Sequence, residues 1–492
     1  MNNIKYLKTD TGSLYKSSTS DDIFTELLWG DRIEILSVNP VNGRLEANAR
    51  GFKRGYVGES EICDISLLEL YIIDVGQGDG ILIVTPDRKH IVIDGGYPRD
   101  SQPHGKSAAD FIDWKFEKDY GSDTIKIDSM IVSHCDIDHY GGSWDLVNPD
   151  KKGELNCKTV EIDKFYHAGV SWWKADNHDR FLGDASNGYL TDILGDKASV
   201  IKGLDQSTSL QLQGYWADFI RCILTSGAKI SRLSSNPGSG FPYLPGYGPN
   251  CKPEIRIMGP VEYIINGQPA LKDFGSEPKN TNGNSVLLRV DYDHARILLT
   301  GDLNKKSQQH LLDVLGINKT ELEADVLKAC HHGSDDCSYN FISAIKPSAS
   351  IISSGDDEAH GHPRPNIVAA LGMCGNVLIQ NDEVVTPLVF STEISRSFRI
   401  GDPDMVKFEN YTYGDEEIDI VLVDEEKTEI SYKRAVPPLK PKHLKKMMNR
   451  LKIVDGIVYG LVNVRTDGNK ILCATLNEGD STWDIKKFNA RF

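Results

Sequence analysis

The sequence contains no long hydrophobic run. None of its 492 residues lies in an apolar stretch that approaches the ~20 residues an α-helix needs to cross a membrane. Residues 1–10 are polar and lack the apolar core of a secretory signal peptide. These two absences argue against a membrane protein and against a secreted one. We therefore expect a soluble, cytoplasmic protein, and its length predicts about two or three domains.

Cysteine is scarce as well, and its spacing argues against two classes of protein. The chain has nine cysteines, an odd number, and no two of them form a C-x-x-C pair. This usage speaks against a disulfide framework and against a zinc knuckle. It fits reduced thiols in a cytosol.

Positive charge is in the minority. Lysine and arginine number 55 against 71 aspartates and glutamates, which gives a net charge of -16. This balance argues against a surface that attracts nucleic acid throughout, but it leaves room for a local basic groove. Residues 433–452 carry eight basic residues and no acidic one, directly after an acidic stretch over residues 415–429. Such a basic run is either a solvated linker face or a segment that attracts a phosphate backbone.

Metal-binding residue types are concentrated in residues 133–142, S-H-C-D-I-D-H-Y-G-G, which follow an apolar run. If that run is a buried strand, side-chain alternation places His134 and Asp136 on one side where the strand ends. A turn then brings Asp138 and His139 to the same point. Imidazoles and carboxylates bind divalent cations, so the pattern predicts a metal site. The alternative is a polar corner that caps the next helix, but a cap needs one such residue and not four.

The H-x-D-x-D-H spacing of these residues resembles the signature of the metallo-β-lactamase fold, in the form typical of the hydrolase domain of ComEC-type DNA-uptake proteins. Other segments of that pattern occur in the family's order. They are D-V-G-Q-G-D at 74–79, I-D-G-G at 93–96, N-S-V at 284–286, L-T-G-D at 299–302, H-H-G-S at 331–334 and G-H-P-R-P at 361–365. The resemblance implies an α/β protein, with an αββα metallo-β-lactamase sandwich over residues 70–400.

The resemblance also implies a centre of one or two divalent ions. The ligands that it assigns are His134, Asp136, Asp138, His139, Asp302 and His362. Asp302 is expected to bridge two ions, and Asp138 to orient the attacking water as well. Because Asp136 replaces the commoner histidine, the site is rich in oxygen donors, which shifts the expected ion from zinc towards manganese. Many members of the fold supply one more histidine to the first ion, and His167 is the best candidate.

Further residues receive supporting roles from the same resemblance. Either His331 or His332 is expected to face the substrate and to stabilise or protonate the leaving oxygen as a catalytic group. The residues expected to orient the ligands are Gln77, Asp79, Asp94 and His360. The residues expected to bind the substrate are Asn284, Ser285 and Arg364.

These assignments imply a metal-dependent hydrolase of phosphodiesters. A bound cation lowers the pKa of water towards ~7, so that hydroxide attacks at neutral pH. The resemblance favours a nuclease acting on DNA or RNA. One alternative is a phosphodiesterase of small molecules such as cyclic nucleotides, which suits the acidic chain. Another is a non-catalytic binding or regulatory module with a decayed metal site.

The segments outside the hydrolase pattern predict accessory domains. Residues 1–66 alternate in short apolar patterns and resemble bacterial small-barrel modules of the Src-homology type, so we expect a small β-barrel-like domain there. Residues 401–452, acidic and then basic with several prolines, are expected to be a linker. Residues 453–492 are expected to form a small β unit with a hairpin turn at 466–469. Either terminal domain offers a surface for a protein partner.

The chain between residues 140 and 250 is longer than the family pattern requires. The spacing of apolar residues predicts an amphipathic helix over 209–226. The Gly- and Pro-rich run over 236–250 predicts a loop. That loop either covers the substrate or is an ordered surface excursion.

Overall fold

The computed structural model describes the chain from residue 3 to residue 492, except for residues 102–106, 237, 239, 356–360, 393–398, 402–419, 425–426, 435–441, 450–452, 456–460 and 478–481. The first seven strands are β1 Ile4–Leu7, β2 Thr11–Tyr15, β3 Ile23–Leu28, β4 Arg32–Ile35, β5 Arg44–Ala49, β6 Phe52–Gly58 and β7 Ile62–Cys63. They pair in the order β3-β2-β6-β5-β4-β1-β7. Alternation buries every second residue of β5, namely Leu45, Ala47 and Ala49, in a separate apolar core.

The next part of the chain builds one large sheet and its outer helices. Its strands are β8 Leu68–Ile72, β9 Gly80–Val84, β10 His90–Asp94, β11 Thr124–Ile127, β12 Ser129–Val132, β13 Thr159–Ile162, β14 Lys164–His167, β15 Trp173–Ala175, β16 His178–Phe181, β17 Ala185–Ser186, β18 Tyr189–Leu190, β19 Gln211–Leu212 and β20 Lys229–Arg232. Its helices are α1 Ala108–Trp114, α2 Ile137–Val147, α3 Lys197–Leu204 and α4 Gly214–Ser226. Strands β10, β12, β14 and β20 are parallel neighbours, and β10 and β12 are apolar because they are buried on both faces.

A second sheet and its own helices follow. The strands are β21 Glu254–Gly259, β22 Glu262–Ile265, β23 Gln268–Lys272, β24 Leu287–Tyr292, β25 Ala295–Leu299, β26 Val326–Lys328, β27 Ala349–Ile352, β28 Leu378–Gln380, β29 Glu383–Thr386 and β30 Leu388–Ser391. The helices are α5 Glu277–Gly283, α6 Lys305–Leu315, α7 Tyr339–Ile345 and α8 Pro365–Cys374. Six of these strands form the second large sheet, in the order β21-β24-β25-β26-β27-β30.

The two large sheets pack face to face between layers of helices. One apolar cluster joins Ile83 and Ile131 of the first sheet to Leu288 and Ile297 of the second. A second cluster packs α2 and α4 on the outer face of the first sheet, and a third packs α6, α7 and α8 on the outer face of the second. Non-directional burial of these faces on each side of both sheets produces four layers. The predicted αββα sandwich is confirmed.

Two groups of strands follow residue 398. Strands β31 Arg399–Gly401, β32 Ile420–Asp424, β33 Lys427–Arg434, β34 Lys442–Asn449 and β35 Ile453–Asp455 lie in a compact unit of their own, in the segment that we expected to be mainly a linker. Strands β36 Val462–Thr466, β37 Lys470–Asn477 and β38 Thr482–Asn489 belong to the first unit.

The last three strands extend the first large sheet instead of forming a sheet of their own. Strand β36 pairs antiparallel with β8, with Val462 opposite Ile72, and the full order is β20-β14-β12-β10-β9-β8-β36-β37-β38. The physical reason is burial, because Val464 and Ile471 complete the apolar cluster between the two sheets. The hairpin between β36 and β37 turns at residues 466–470, as the Asp-Gly-Asn sequence predicts. The predicted boundaries between independently folding domains stay a prediction.

Within the part of the chain that the structure describes, no helix combines the length and the apolar character needed to cross a membrane.

Candidate metal centre

The centre is built where β12 ends and α2 begins. Asp136 occupies the N-cap position of α2, yet its carboxylate makes no capping hydrogen bond to the helix. It accepts a hydrogen bond from the Thr281 hydroxyl instead, at 2.8 Å. Asp138 and His139 lie in the first turn of the helix, and the turn brings them beside His134. The geometry therefore argues against the alternative in which this motif only caps a helix.

Gly142, on α2, and Gly95, just after β10, let the helix approach the end of β10 closely. The Gly142 amide donates to the Gly96 carbonyl at 3.0 Å, and the Gly95 amide donates to the His139 carbonyl at 2.6 Å. A Cβ on Gly142 would overlap the Gly95 carbonyl oxygen. The G-G pair that follows the metal motif is thus a packing requirement, because it seats the helix that carries Asp138 and His139.

Imidazole and carboxylate groups converge on Asp302, which follows β25. Its Oδ2 atom lies 3.0 Å from Nε2 of His332 and 3.2 Å from Nε2 of His139. His134, His139 and Asp302 form one group of possible ligands, and Asp138, His139 and His332 form a second. Within each group the donor atoms lie within 4.8 Å of one another. The two groups share His139, whose free Nε2 can bind a single ion, and Asp302 contacts histidines of both groups, so its carboxylate is the donor that could serve two ions.

Hydrogen bonds at Nδ1 aim the histidines of the cluster. Nδ1 of His139 lies 2.9 Å from Oδ2 of Asp94, and Nδ1 of His332 lies 3.0 Å from the Ser353 carbonyl oxygen. His134 Nδ1 lies 3.0 Å from the Ser133 hydroxyl. With Nδ1 engaged in this way, Nε2 is the atom left to bind an ion.

The donor set fits a divalent cation. Among the described residues, the buried Nε2 atoms of His139 and His332 and the buried Oδ1 of Asp302 have no hydrogen-bond partner of good geometry. Buried polar atoms are normally paired, so two unpaired imidazole nitrogens that face the Asp302 carboxylate call for a ligand that accepts both nitrogen and oxygen donors. An ion there would be held by His134, His139, His332, Asp138 and Asp302.

The predicted orienting residues contact this cluster. Asp94 ends β10 in a left-handed conformation, with φ of 58°, and accepts hydrogen bonds from the Ser133 amide at 2.7 Å and from the Ser133 hydroxyl at 2.6 Å. Asp79 pairs with the buried Lys328 ammonium and lies 3.2 Å from Nδ1 of His332. The Gln77 amide donates to Asp138 Oδ2 at 3.4 Å. His360 lies outside the described residues.

His331 and His332 occupy different environments although they are adjacent. Both have positive φ, 49° and 53°, which is a strained conformation for a residue other than glycine. His332 is buried among carboxylates, whereas His331 has a quarter of its side chain exposed and its Nε2 lies 3.9 Å from Asp302. His332 thus lies in groups of possible ligands and His331 lies at their rim, and which of the two acts on the leaving oxygen stays a prediction.

Three other predicted residues lie outside these ligand groups. His362 belongs to none of the ligand groups formed by described residues, and its ring centroid lies 6.5 Å from that of His332. Its role as a ligand stays a prediction. His167 also lies outside these groups, packed beside Phe165 at a ring distance of 5.9 Å. Arg364 is exposed at the start of α8.

The structure does not place Asn284 and Ser285 on a surface that a substrate reaches. Both are buried, and the Asn284 amide donates to the carbonyls of Asn280 and Lys272. The Ser285 hydroxyl lies 3.3 Å from His134 Nδ1 and accepts from the Asp302 amide at 3.2 Å. Their side chains therefore support the loop and the ligands, which corrects the expectation of direct substrate binding.

The carboxylates give the site a strongly negative potential. Burial by itself lowers the pKa of His332, but Asp302 and Asp79 outweigh it and raise that pKa to about 10. Burial likewise lowers the pKa of His139, and Asp302, Asp94 and Asp138 together raise it well above its usual value. Burial raises the pKa of Asp136 to about 6, and the neighbouring Asp138 adds to the effect. A potential that holds protons on imidazoles also attracts a divalent cation.

A cavity of about 530 Å³ opens beside Asp136 and Asp138. Its walls include Tyr97, Trp172 and Arg180, none of which was predicted. Such isolated residues outside any motif carry no spacing signal. The 236–250 loop, in contrast, packs on the second sheet, since the Leu244 amide donates to the Ile255 carbonyl.

Comparison with known proteins agrees with this architecture. Residues 73–355 match the family profile of the metallo-beta-lactamase superfamily, which is more than half of the chain. The chain belongs to that superfamily. Its fold and its clustered histidines and aspartates are those of a metal-dependent hydrolase.

Two competence proteins match part of the chain, which confirms the ComEC-type resemblance there. ComE operon protein 3 of Bacillus subtilis (strain 168) is 32% identical over 96 residues, which are 19% of this chain and 12% of that protein. Competence protein ComA of Neisseria gonorrhoeae is 36% identical over 110 residues, which are 22% of this chain and 16% of that protein. The matched part is thus less than a fifth of either relative.

Solved structures resemble the chain at low identity. The metallo-beta-lactamase fold protein YhfI from Bacillus subtilis has a TM-score of 0.28 and 10% identity, over 66% of this chain and 95% of that one. A diphosphatase from the PhnP family has a TM-score of 0.26 and 10% identity, over 58% and 86%.

Proposed function

We propose that this protein hydrolyses phosphodiester bonds in nucleic acid with the help of one or two divalent ions. The observation that carries the proposal is the convergence of three oriented imidazole Nε2 atoms with the carboxylates of Asp138 and Asp302. Centres with shared carboxylates suit in-line displacement at phosphorus. The likeness to ComE operon protein 3 and Competence protein ComA agrees with the resemblance of the motifs to ComEC-type DNA-uptake proteins, and that resemblance favours nucleic acid over other phosphodiesters.

The chain's own residues divide the work of such a reaction. A divalent cation bound here would supply Lewis-acid activation of water and of the phosphoryl oxygen. Asp138, partly exposed and held by the Gln77 amide, is placed to accept a proton from the attacking water. His331 at the rim is placed to donate a hydrogen bond to the leaving oxygen, since burial lowers its pKa and keeps it neutral. Lys328 neutralises Asp79 behind the ligands.

The donor set favours manganese at least as much as zinc. Asp138 and Asp302 contribute oxygen donors beside the imidazoles, and a harder donor set suits manganese better than an all-histidine one. Exhaustive chelation should abolish hydrolysis, and Mn²⁺ should restore it as well as Zn²⁺ does. Full activity after chelation would contradict the proposal.

A substrate panel tests the function directly. The full chain, with metal content measured beforehand, is assayed on single- and double-stranded DNA, RNA, cyclic nucleotides and a generic phosphodiester. We expect hydrolysis of at least one nucleic acid, and loss of it in Asp302→Asn. Hydrolysis of cyclic nucleotides alone would replace the proposal by a small-molecule phosphodiesterase. A folded chain that binds no metal and cleaves nothing would favour a non-catalytic binding module.

A further inference from the structure

The cavity beside the metal centre has walls from three separate parts of the chain. Tyr97 follows β10, Trp172 and Arg180 come from the β15–β16 region, and Gln213 and Tyr215 stand at the start of α4. Asp136 and Asp138 form the side that faces the metal centre. We call this space, defined by these residues, the aromatic cavity. A group bound in it lies directly beside a phosphate at the metal centre.

The aromatic cavity contains a cation–π pair formed by Arg180 and Trp172. The Arg180 guanidinium lies 3.7 Å from the centroid of the Trp172 ring, which is a close cation–π contact. Trp172 is fixed from behind, because its indole nitrogen donates to the Cys135 carbonyl at 3.1 Å. Arg180 itself is exposed, so the outer face of its guanidinium remains open to a ligand. A fixed indole therefore presents a flat cation to the cavity.

Tyr215 also lines the cavity, and most of its side chain is exposed instead of packed in the core. Tyr215 is 63% exposed, at the first turn of α4, and its nearest ring contact is Trp144 at 5.8 Å. Gln213, just before that helix, supplies an amide with both donor and acceptor atoms. A nucleobase stacks on flat aromatic rings and on a guanidinium plane, and its edge forms hydrogen bonds with an amide. The aromatic cavity offers all three kinds of group.

We propose that the aromatic cavity binds the nucleobase next to the scissile phosphate, stacked on the Arg180–Trp172 pair with Tyr215 beside it. This inference rests on the proposed function, because it places the phosphate at the metal centre. A volume of about 530 Å³ accommodates a base with its sugar and lies in the usual range for small-ligand sites. Stacking tolerates every base, so the cavity selects nucleic acid without selecting a sequence.

The test compares substrates with and without that base. Short oligonucleotides of the cleaved type carry either a normal base or an abasic residue beside one cleavable linkage. The parent chain should prefer the normal base by about 5- to 150-fold in kcat/KM, the range of a single stacked base. In Arg180→Ala and in Tyr215→Ala this ratio should fall towards one. Arg221→Ala on α4 and Tyr339→Ala on α7, both exposed and away from the cavity, are matched controls that should keep the ratio.

A binding measurement separates this inference from the proposed function. Nucleoside monophosphate and ribose 5-phosphate are titrated separately into the parent and the variants, and tryptophan fluorescence is followed. Quenching by the nucleotide, weakened about 5- to 150-fold in Arg180→Ala, would support the cavity even if no phosphodiester were hydrolysed. Hydrolysis with equal rates on normal and abasic substrates would overturn the inference and leave the proposed function standing. Absence of both hydrolysis and nucleotide binding would overturn both.

Discussion

At the scale of single residues, the metal centre depends on which imidazole nitrogen faces it. Asp94 and the Ser353 carbonyl engage Nδ1 of His139 and His332, so each ring is locked with Nε2 towards Asp302. His331 lacks such a lock at Nδ1 among the described residues and lies at the rim. Neighbouring histidines of one motif therefore have different chemical tasks.

This division predicts different outcomes for neighbouring substitutions. His332→Ala and Asp302→Ala should lose bound metal together with activity, because each removes a donor from a buried cluster. His331→Ala should keep the metal and lower turnover by about 10²- to 10⁴-fold, the usual contribution of one group that assists proton transfer. Metal per chain is measured after gel filtration, alongside kcat. Loss of metal from His331→Ala would show that this histidine is a ligand.

Burial of His90 predicts an acid-sensitive fold. Its ring packs on Phe116 and lies 3.3 Å from the Tyr120 hydroxyl, and burial, then Arg88 and Lys115, lower its pKa to about 3. The unfolded chain binds this proton near pH 6.5. The stabilisation that the neutral ring contributes is therefore fully present above about pH 6.5. It is lost as pH falls towards 3, and the loss amounts to roughly 2 kcal/mol at about pH 5.

Replacing the His90 imidazole with a ring that cannot titrate tests the direction of this pH dependence of stability. Between pH 7 and about pH 5, the thermal unfolding midpoint of His90→Phe should fall less than that of the parent. Thermal unfolding across a pH series measures both. His178→Phe, which changes an exposed histidine, is the control and should follow the parent. An equal acid loss in His90→Phe and the parent would assign that loss to other groups.

At the scale of elements, the turn between β8 and β9 sets the position of α2. Gly78 has φ of 112°, and a Cβ there would overlap the carbonyl oxygen of Asp138. The Gly78 carbonyl also accepts from the Ser353 hydroxyl at 2.9 Å. The glycine-rich D-V-G-Q-G-D segment is thus a contact between the two halves of the site.

A methyl group at Gly78 should therefore damage the centre from outside it. Gly78→Ala should shift the first turn of α2, and a displacement of about 1 Å costs roughly 10²-fold in turnover. Gly121→Ala is the matched control, since Gly121 also has positive φ, 67°, but no heavy atom lies within 4 Å of its Cβ position. Both variants share backbone strain and differ in steric overlap. Equal kcat values would show that strain alone matters at Gly78.

Local signals in the sequence predicted several elements correctly. The apolar run before His134 predicted β12, and the spacing over 209–226 predicted the helix observed as α4, Gly214–Ser226. These elements follow from side-chain periodicity, which is a property of short segments. The pairing of β36 with β8 could not be predicted in this way, because strand partners distant in the sequence are selected by burial in the complete fold.

The same limit applies to the candidate site. His134, Asp138, His139 and Asp302 could be predicted because family motifs fix their order. Trp172, Arg180 and Tyr215 could not, because only the fold of the insertion brings them to the centre. Asn284 and Ser285 lie in a family motif, but the motif did not reveal that their side chains turn inward. Motif spacing identifies residue types and not the direction of a side chain.

At the scale of the whole molecule, the basic segment over residues 433–452 predicts a salt effect. The segment carries eight positive charges. If the substrate is nucleic acid and half of these charges engage phosphates, replacing Lys440, Lys442, Lys445 and Lys446 by Gln should flatten the log–log salt dependence of binding by roughly 2 to 4 units. Hydrolysis of a short phosphodiester should be nearly unchanged, because the substitutions leave the residues of the metal centre untouched. An unaltered slope would remove this segment from the substrate path.

The N-terminal sheet is joined to the hydrolase through a buried ion pair with the last strands. Arg465 of β36 is 2% exposed, and its guanidinium donates to Asp31 Oδ1 at 2.8 Å and to the Trp29 carbonyl at 2.7 Å. Burial raises the pKa of Asp31, but Arg465 and Arg50 outweigh it, and the carboxyl pKa falls below its usual value. The two ends of the chain thus depend on each other for charge compensation.

Removing one partner of this pair should destabilise the protein strongly. Arg465→Ala leaves a buried carboxylate without its main counter-charge, which costs about 3–5 kcal/mol. In urea unfolding, Asp31→Asn in the same chain should recover part of that loss, because the uncompensated charge disappears. Lys487→Ala breaks the more exposed pair with Asp10 and should cost at most about 1 kcal/mol. The N-terminal sheet also has apolar contacts with β37, where Leu28 packs on Leu472 and Ala474. If Arg465→Ala cost no more stability than Lys487→Ala, these contacts and not the ion pair would hold the sheet.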